Sequence, residues 1–327
     1  MRAFAALALA LLFAAPAFAE ESESRRPVHT FSIVARDAAT GQMGVAVQSH
    51  WFSVGGVVAW AEPGVGAVAT QSFALRSYGP LGLELMRNGM SADQALTALV
   101  AGDAHPEGRQ VGMVDASGDV ANFTGPNAIA EACQIEGEGF TVQANMMGPS
   151  TVCTAMAAAY QSAEGDLAAR MMAALNAAQA EGGDIRGQQS AALLVVSGDR
   201  TQHAWSGRIF DLRVEDHQRP LQELARLLAL ARAYNLMTEG DDAVAAGDVA
   251  TARQRYAAAM ELAPDNHEMV FWTAVTLAST GDVDEAMPLF RRAFRMHPPW
   301  RELLQRLPAA GLFPDDPALM NRILGRR

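Results

Sequence analysis

The sequence contains no lysine: all 25 strongly basic residues are arginine. A lysine amine is therefore excluded as general base or Schiff-base group, and any base has to be histidine, a carboxylate or an α-amine. Cysteine is scarce, with only Cys133 and Cys153, too few for a thiolate metal site. The histidines His105, His203, His267 and His297 show no ligand spacing, so neither metal nor cofactor is expected. Positive charge is in deficit, since 25 basic against 36 acidic residues leave a net charge of −11. That excludes a nucleic-acid footprint. What the chain does have is apolar material, 50% against 19% charged over 327 residues. This is ample for a packed core and favours two domains over one.

Residues 1–19 read as a secretory signal: Arg2, an apolar run, then Ala17-Phe18-Ala19 as a small-x-small cleavage site. The run is short for a membrane anchor and Pro16 breaks it. A mature chain would begin at Glu20, residues 20–28 would form a polar leader, and the protein would be periplasmic or secreted, off the membrane once the signal is removed. Export would place Cys133 and Cys153 in an oxidising compartment. A bridge between them would close a loop of about 20 residues, worth roughly 3 kcal/mol. Two unpaired buried cysteines fit the sequence equally well.

The run from His29 to Gln71 organises the chain as far as residue 214. Thr30 to Ala35 and Gly44 to Gln48 have strand character, separated by a turn at Asp37 to Gly41. Thr30 and Ser32 lie two apart, so a strand puts both hydroxyls on one face. Helical spacing comes next, at Leu81, Leu85, Ala95, Leu96 and Leu99, with Ser91 and Asp93 as start signals. Strands 109–115 and 120–124 form a hairpin, and 140–144 is a further strand. Two alanine-rich helices come after it, the first carrying Met156. Ser190 to Val196 is an apolar strand, and 203–214 a last strand or hairpin. Trp51, Phe52 and Trp60 are read as core. This order predicts a layered α+β domain over 29–214.

The segments Thr30-Phe31-Ser32-Ile33-Val34-Ala35, Gly64-Val65-Gly66-Ala67-Val68-Ala69-Thr70-Gln71 and 182–193 (GGDIRGQQSAAL) carry a resemblance. The chain resembles bacterial domain-of-unknown-function family 1028, placed among the N-terminal-nucleophile (Ntn) hydrolases. The resemblance implies a four-layer αββα Ntn-hydrolase-like sandwich and catalytic roles for Thr30, Ser49, Gly66 and Asp184. Thr30 would be the nucleophile, with its own α-amine as base. Gly66 would supply an oxyanion-hole N–H, and Asp184 would support the N-terminus. Arg186 is read as gripping a substrate carboxylate, with a local Asp184–Arg186 pair as the alternative. Gln71, His50 and Gln189 complete the expected substrate-binding set. Proteasome subunits, similar in outline, carry an aspartate where Gln48 stands and a lysine that has no counterpart here.

From 215 to 327 the chain is helical and repeats itself. At an offset of 34, Ala252, Tyr256, Ala259 and Pro264 recur as Ala286, Phe290, Ala293 and Pro298. The period and the residue types resemble the tetratricopeptide repeat, which implies a protein partner, with 300–324 as a cap. The expected protein is thus an exported Ntn-type hydrolase of a small amide or peptide, a homo-oligomer carrying helical repeats. The alternative is a catalytically inactive Ntn-like binding module. The hydrolase requires self-cleavage between His29 and Thr30, or trimming there by another protease, because signal removal alone leaves the amine blocked.

Overall fold

The computed structural model describes residues 27–28, 30–200 and 203–326. The expected signal, most of the expected leader and His29 lie outside them. Among the described residues, ten strands form two antiparallel sheets. The larger has the order β10 (Arg208–Val214), β9 (Ser190–Val196), β2 (Met43–Ser49), β1 (Thr30–Arg36), β8 (Phe140–Ala144), β7 (Cys133–Gly137). The smaller has the order β3 (Ala59–Glu62), β4 (Gly66–Ser72), β5 (Arg109–Asp115), β6 (Val120–Thr124). A single helical turn, α1 (Gly55–Val58), precedes β3.

Both faces of the central strands are buried, so they read as nearly unbroken apolar runs. Along β1, Phe31, Ile33 and Ala35 point outward from the sheet pair and join Met156, Met171 and Leu175. Those three come from α4 (Val152–Ser162) and α5 (Leu167–Ala180). Val34 points the other way and meets Val45, Val47, Ala67, Ala69 and Val114 between the sheets. The outer face of the smaller sheet packs Val68, Val111 and Met113 against Leu83, Met86 and Leu96. These belong to α2 (Tyr78–Arg87) and α3 (Ala92–Gly102). The cap signal at Ser91 is a full capping box with Gln94. The face of α2 differs from the expectation. Tyr78, Leu83 and Met86 are buried, whereas Leu81 is 45% exposed. Trp51 and Trp60 are partly buried against apolar clusters, but Phe52, expected in the core, is 64% exposed on the loop after β2. Cys133 and Cys153 are bonded, fastening edge strand β7 to α4.

The C-terminal region begins on a 26-residue helix, α6 (Pro220–Ala245). Its first half sends Leu221, Leu224 and Leu228 into the core above the larger sheet, and its second half sends Ala233 and Met237 into the helical region. One rod thus belongs to both cores, starting just after the expected boundary at 214. It is followed by α7 (Val249–Leu262), α8 (His267–Ser279), α9 (Val283–Met296), α10 (Trp300–Leu304) and α11 (Pro317–Leu324). The small repeat positions Ala252, Ala259, Ala286 and Ala293 are all buried, as are Tyr256 and Phe290. A Cβ on Gly240 would come within 2.4 Å of the Tyr256 ring, so only glycine admits that ring against α6. No described helix is long and apolar enough to cross a membrane.

Candidate functional site

Thr30 heads the central strand β1 and is fully buried. Alternation turns Thr30 and Ser32 toward the smaller sheet, where a polar layer replaces the apolar one. The Thr30 hydroxyl donates to the Val28 carbonyl at 3.0 Å and lies 3.2 Å from the Ser49 Oγ. Gln71 Nε2 donates to the Thr30 carbonyl at 3.1 Å and to Gln110 Oε1 at 2.8 Å. Ser32 donates to Gln71 Oε1 at 2.7 Å and accepts from Gln143 Nε2 at 2.9 Å. Asn145 donates from its backbone N–H to the Thr30 carbonyl and from Nδ2 to Gln110 Oε1. These carboxamides are fully buried, and each such bond contributes about 1 kcal/mol net while protecting a group that is costly to leave unpaired. Gly112 is what lets Gln143 fit: a Cβ there would sit 2.3 Å from Gln143 Oε1.

Two features set this layer apart from an ordinary polar core. Ser72 Oγ and Asn145 Oδ1 are buried without any hydrogen-bond partner. Ser72 (φ 66°) and Met146 (φ 55°) hold left-handed backbone conformations, at a cost of about 1–3 kcal/mol each. Both flank Thr30, because Ser72 forms a two-bond bridge with Val28 and Met146 follows Asn145. Orphaned buried oxygens and strained non-glycine residues collect where a site is stabilised for something other than stability. Behind Ser72 the chain is held by Arg109, which donates to the Phe73 carbonyl at 2.7 Å and pairs with Asp103 at 2.7 Å. Burial raises the Asp103 carboxyl, but hydrogen bonds from Arg109, the His105 N–H and Tyr78, together with the Arg109 charge, hold it below its ordinary value. Tyr78 is pushed up, by burial first and then by its bond to Asp103.

The expected site residues divide into two groups. Thr30, Ser49 and Gln71 come together at the head of β1. Gly66 does not join them: it pairs with Glu62 and Asp115 at the far end of β4. It stands six strand steps, or about 20 Å, from Ser72. Gln48 faces away from Thr30, as alternation from Ser49 demands, and both ends of its buried amide lack a partner. Asp184 is buried and accepts from the His50 N–H at 3.0 Å, tying the loop before β9 to the residue after Ser49. Its carboxylate also takes the Arg186 side chain, at 3.1 Å from Nε and 2.7 Å from Nη2. The local-pair alternative for Arg186 is therefore the one observed.

His50 and Gln189 line an open cleft of about 540 Å³ with Gln188, Asp216, His217 and Arg219. The cleft is joined to Thr30 through Ser49, whose carbonyl accepts from the Gln189 N–H at 3.1 Å. Gln189 also donates to Asp216 at 3.1 Å, and the His217 N–H returns to the Gln189 carbonyl at 2.7 Å. Sequence reasoning did not single out Gln110, Gln143, Asn145, Ser72 or His217. The signal available was a carboxamide inside each of three apolar strands, at Gln71, Gln110 and Gln143.

Comparison with known proteins gives a family match over residues 30–224, described as a family of unknown function (DUF1028). A tetratricopeptide repeat match covers 237–299. Among solved structures, the crystal structure of a Silicibacter pomeroyi protein of the DUF1028 family is similar. It has a TM-score of 0.55 and 29% identity, over 61% of this chain and 88% of that one. No curated protein matches.

Proposed function

The chain belongs to the DUF1028 family of unknown function, and from that premise we propose that residues 30–214 form an Ntn-type amide or peptide hydrolase made as a blocked precursor. The helices on the outer faces of the two sheets are the layering that an αββα sandwich requires. The observation that carries the reading is the convergence on Thr30 of Ser49, two unpartnered buried oxygens and two strained residues. In the precursor, Val28 covers Thr30 and is bonded to Ser72 in both directions. Self-cleavage between His29 and Thr30 follows when the Thr30 hydroxyl attacks the His29 carbonyl carbon, the Thr30 nitrogen leaves with the proton, and water hydrolyses the ester; it releases Val28, whose burial is worth about 2 kcal/mol, and frees the α-amine.

That amine then takes the proton from Thr30 Oγ1 as the oxygen attacks the substrate carbonyl carbon. The amide C–N bond breaks, the leaving amine takes the proton, and water hydrolyses the resulting ester. The oxyanion donor passes from Gly66 to the Ser72 hydroxyl, which is free to donate at the site vacated by Val28. The substrate is held in the His50–Gln189–His217 cleft. Arg219, at its rim, suits a carboxylate on a small amide or short peptide. Export fits the Cys133–Cys153 bond, since disulfides persist in oxidising compartments. The repeats mark the C-terminal region for a protein partner.

A screen of short amides and peptides with N-terminally processed protein tests the reading. Turnover that Thr30→Ala abolishes without unfolding the protein supports it; turnover equal to wild type in that variant refutes it. The second reading, an inactive scaffold whose cleft only binds, draws on the complete burial of Thr30.

A further inference from the structure

Strand β3 reaches along β4 only as far as Ala69, which leaves the last residues of β4 open on that side. Ser72 closes β4 and is paired with Arg109 of β5 on the other side. In an antiparallel ladder a residue sends both its N–H and its C=O to one neighbour. Those of Ser72 go to Val28. The Val28 N–H donates to the Ser72 carbonyl at 2.5 Å, and the Ser72 N–H donates to the Val28 carbonyl at 3.0 Å. Val28 thus adds one residue of antiparallel strand to the edge that β3 leaves open. Its side chain is buried and joins the apolar cluster between the sheets, with Val47, Val54, Val57 and Ala74. Its carbonyl also accepts from Thr30 Oγ1 at 3.0 Å.

The chemistry proposed for Thr30 gives this bridge a meaning. When the Thr30 oxygen attacks the His29 carbonyl carbon, a C–O bond forms, the C–N bond breaks and the proton goes to the Thr30 nitrogen. What remains is an ester of Thr30 carrying the preceding residues as its acyl group. Attack on a substrate amide leaves the same kind of ester, with the substrate's acyl group in place of those residues and its amine as the leaving group. The first acyl group the site holds is therefore its own chain, ending Val28-His29. Once that chain has left, the Ser72 N–H and C=O lose their partners, and buried backbone groups require replacements.

We infer that the Val28 position is the acyl-side subsite of the enzyme. Its substrate is an extended peptide with a small aliphatic residue, valine-like and bearing a free N–H, second before the bond to be cleaved. The backbone of that residue pairs with Ser72, and its side chain enters the apolar cluster. The inference rests on the hydrolase reading and narrows its substrate from amides in general to peptides with at least two residues on the acyl side.

The test is fluorescence anisotropy with the N-terminally labelled peptide Arg-Arg-Pro-Val-His, the sequence of residues 25–29. Two forms leave the subsite open. One is the chain beginning at Thr30, made by removal of an initiator methionine placed directly before it. The other is the full-length double variant Val28→Asp with Thr30→Ala, whose charged side chain is expelled from the cluster. Both bind the peptide saturably, whereas full-length Thr30→Ala, with Val28 in place, does not. Peptides with alanine or N-methylvaline for the valine carry the same charge and bind about tenfold more weakly. Absence of binding to both open forms overturns the inference, as does equal affinity for the three peptides. A second assay separates this inference from the hydrolase reading: cleavage by the chain beginning at Thr30 of aminomethylcoumarin amides of Arg-Arg-Pro-Val-His and Arg-Arg-Pro-Ala-His. A kcat/KM about tenfold higher for the valine peptide supports both. Turnover without that preference overturns the subsite and leaves the hydrolase standing. Ranked binding without turnover supports the subsite as a peptide site and overturns the hydrolase.

Discussion

Thr30 is the residue on which the functional account turns, and its surroundings explain both its burial and its promise. A β-branched residue at a strand start is ordinary. One enclosed by Ser49, Gln71, Asn145 and a left-handed Ser72 is held by design rather than by propensity. Gln110→Leu should expose how tightly. It leaves Gln71 Nε2 and Asn145 Nδ2 without the oxygen they share, at a cost of about 2–4 kcal/mol by urea denaturation; a loss within error would mean the carboxamide layer is not cooperative. Asp103→Ala strands the buried Arg109 charge and should cost about 3 kcal/mol at pH 7. Because the folded-state value of Asp103 is the lower one, the stability it confers is fully present above the unfolded carboxylate value of about 3.9. It is lost as pH falls through the folded value. Acid titration of stability should therefore be shallower below about pH 4 in the variant than in wild type.

At the scale of elements, α6 is the member that joins the two regions, one half in each core. Tyr256 closes the second half against Gly240 and donates to Asp241 at 2.7 Å. Tyr256→Ala should destabilise the helical region by about 3 kcal/mol, read as an earlier melting transition; an unchanged melt would contradict the packing described. The repeat was legible in the sequence because its small and aromatic positions recur at one offset, and those positions are the buried ones. Strands β1, β2, β5, β6, β8 and β9 were legible from their apolar runs and turns. Strand β7 was not, because the alternation of Cys133 and Ile135 with Gln134 and Glu136 spans only five residues and carries a single strongly apolar side chain. The site was half legible. Hydroxyl spacing pointed to Thr30 and Ser32, and strand pairing brought Ser49 beside them. Gly66 misled because position along a strand cannot be converted to proximity without knowing which end of β4 meets β1.

For the whole molecule, the Cys133–Cys153 bond ties the edge of the larger sheet to the helices above it. The Cys133→Ser, Cys153→Ser pair of substitutions should lower stability by about 3 kcal/mol, measured against the oxidised wild type; no loss would show that the bond restrains nothing in the unfolded chain. The measurement that bears most directly on the central claim is the intact mass and N-terminal sequence of the purified protein expressed from residue 1, for wild type and Thr30→Ala. The account predicts a wild-type chain beginning at Thr30 and a variant retaining the preceding residues. A wild-type chain that still begins upstream of Thr30 after prolonged incubation would leave the amine blocked and contradict the hydrolase mechanism.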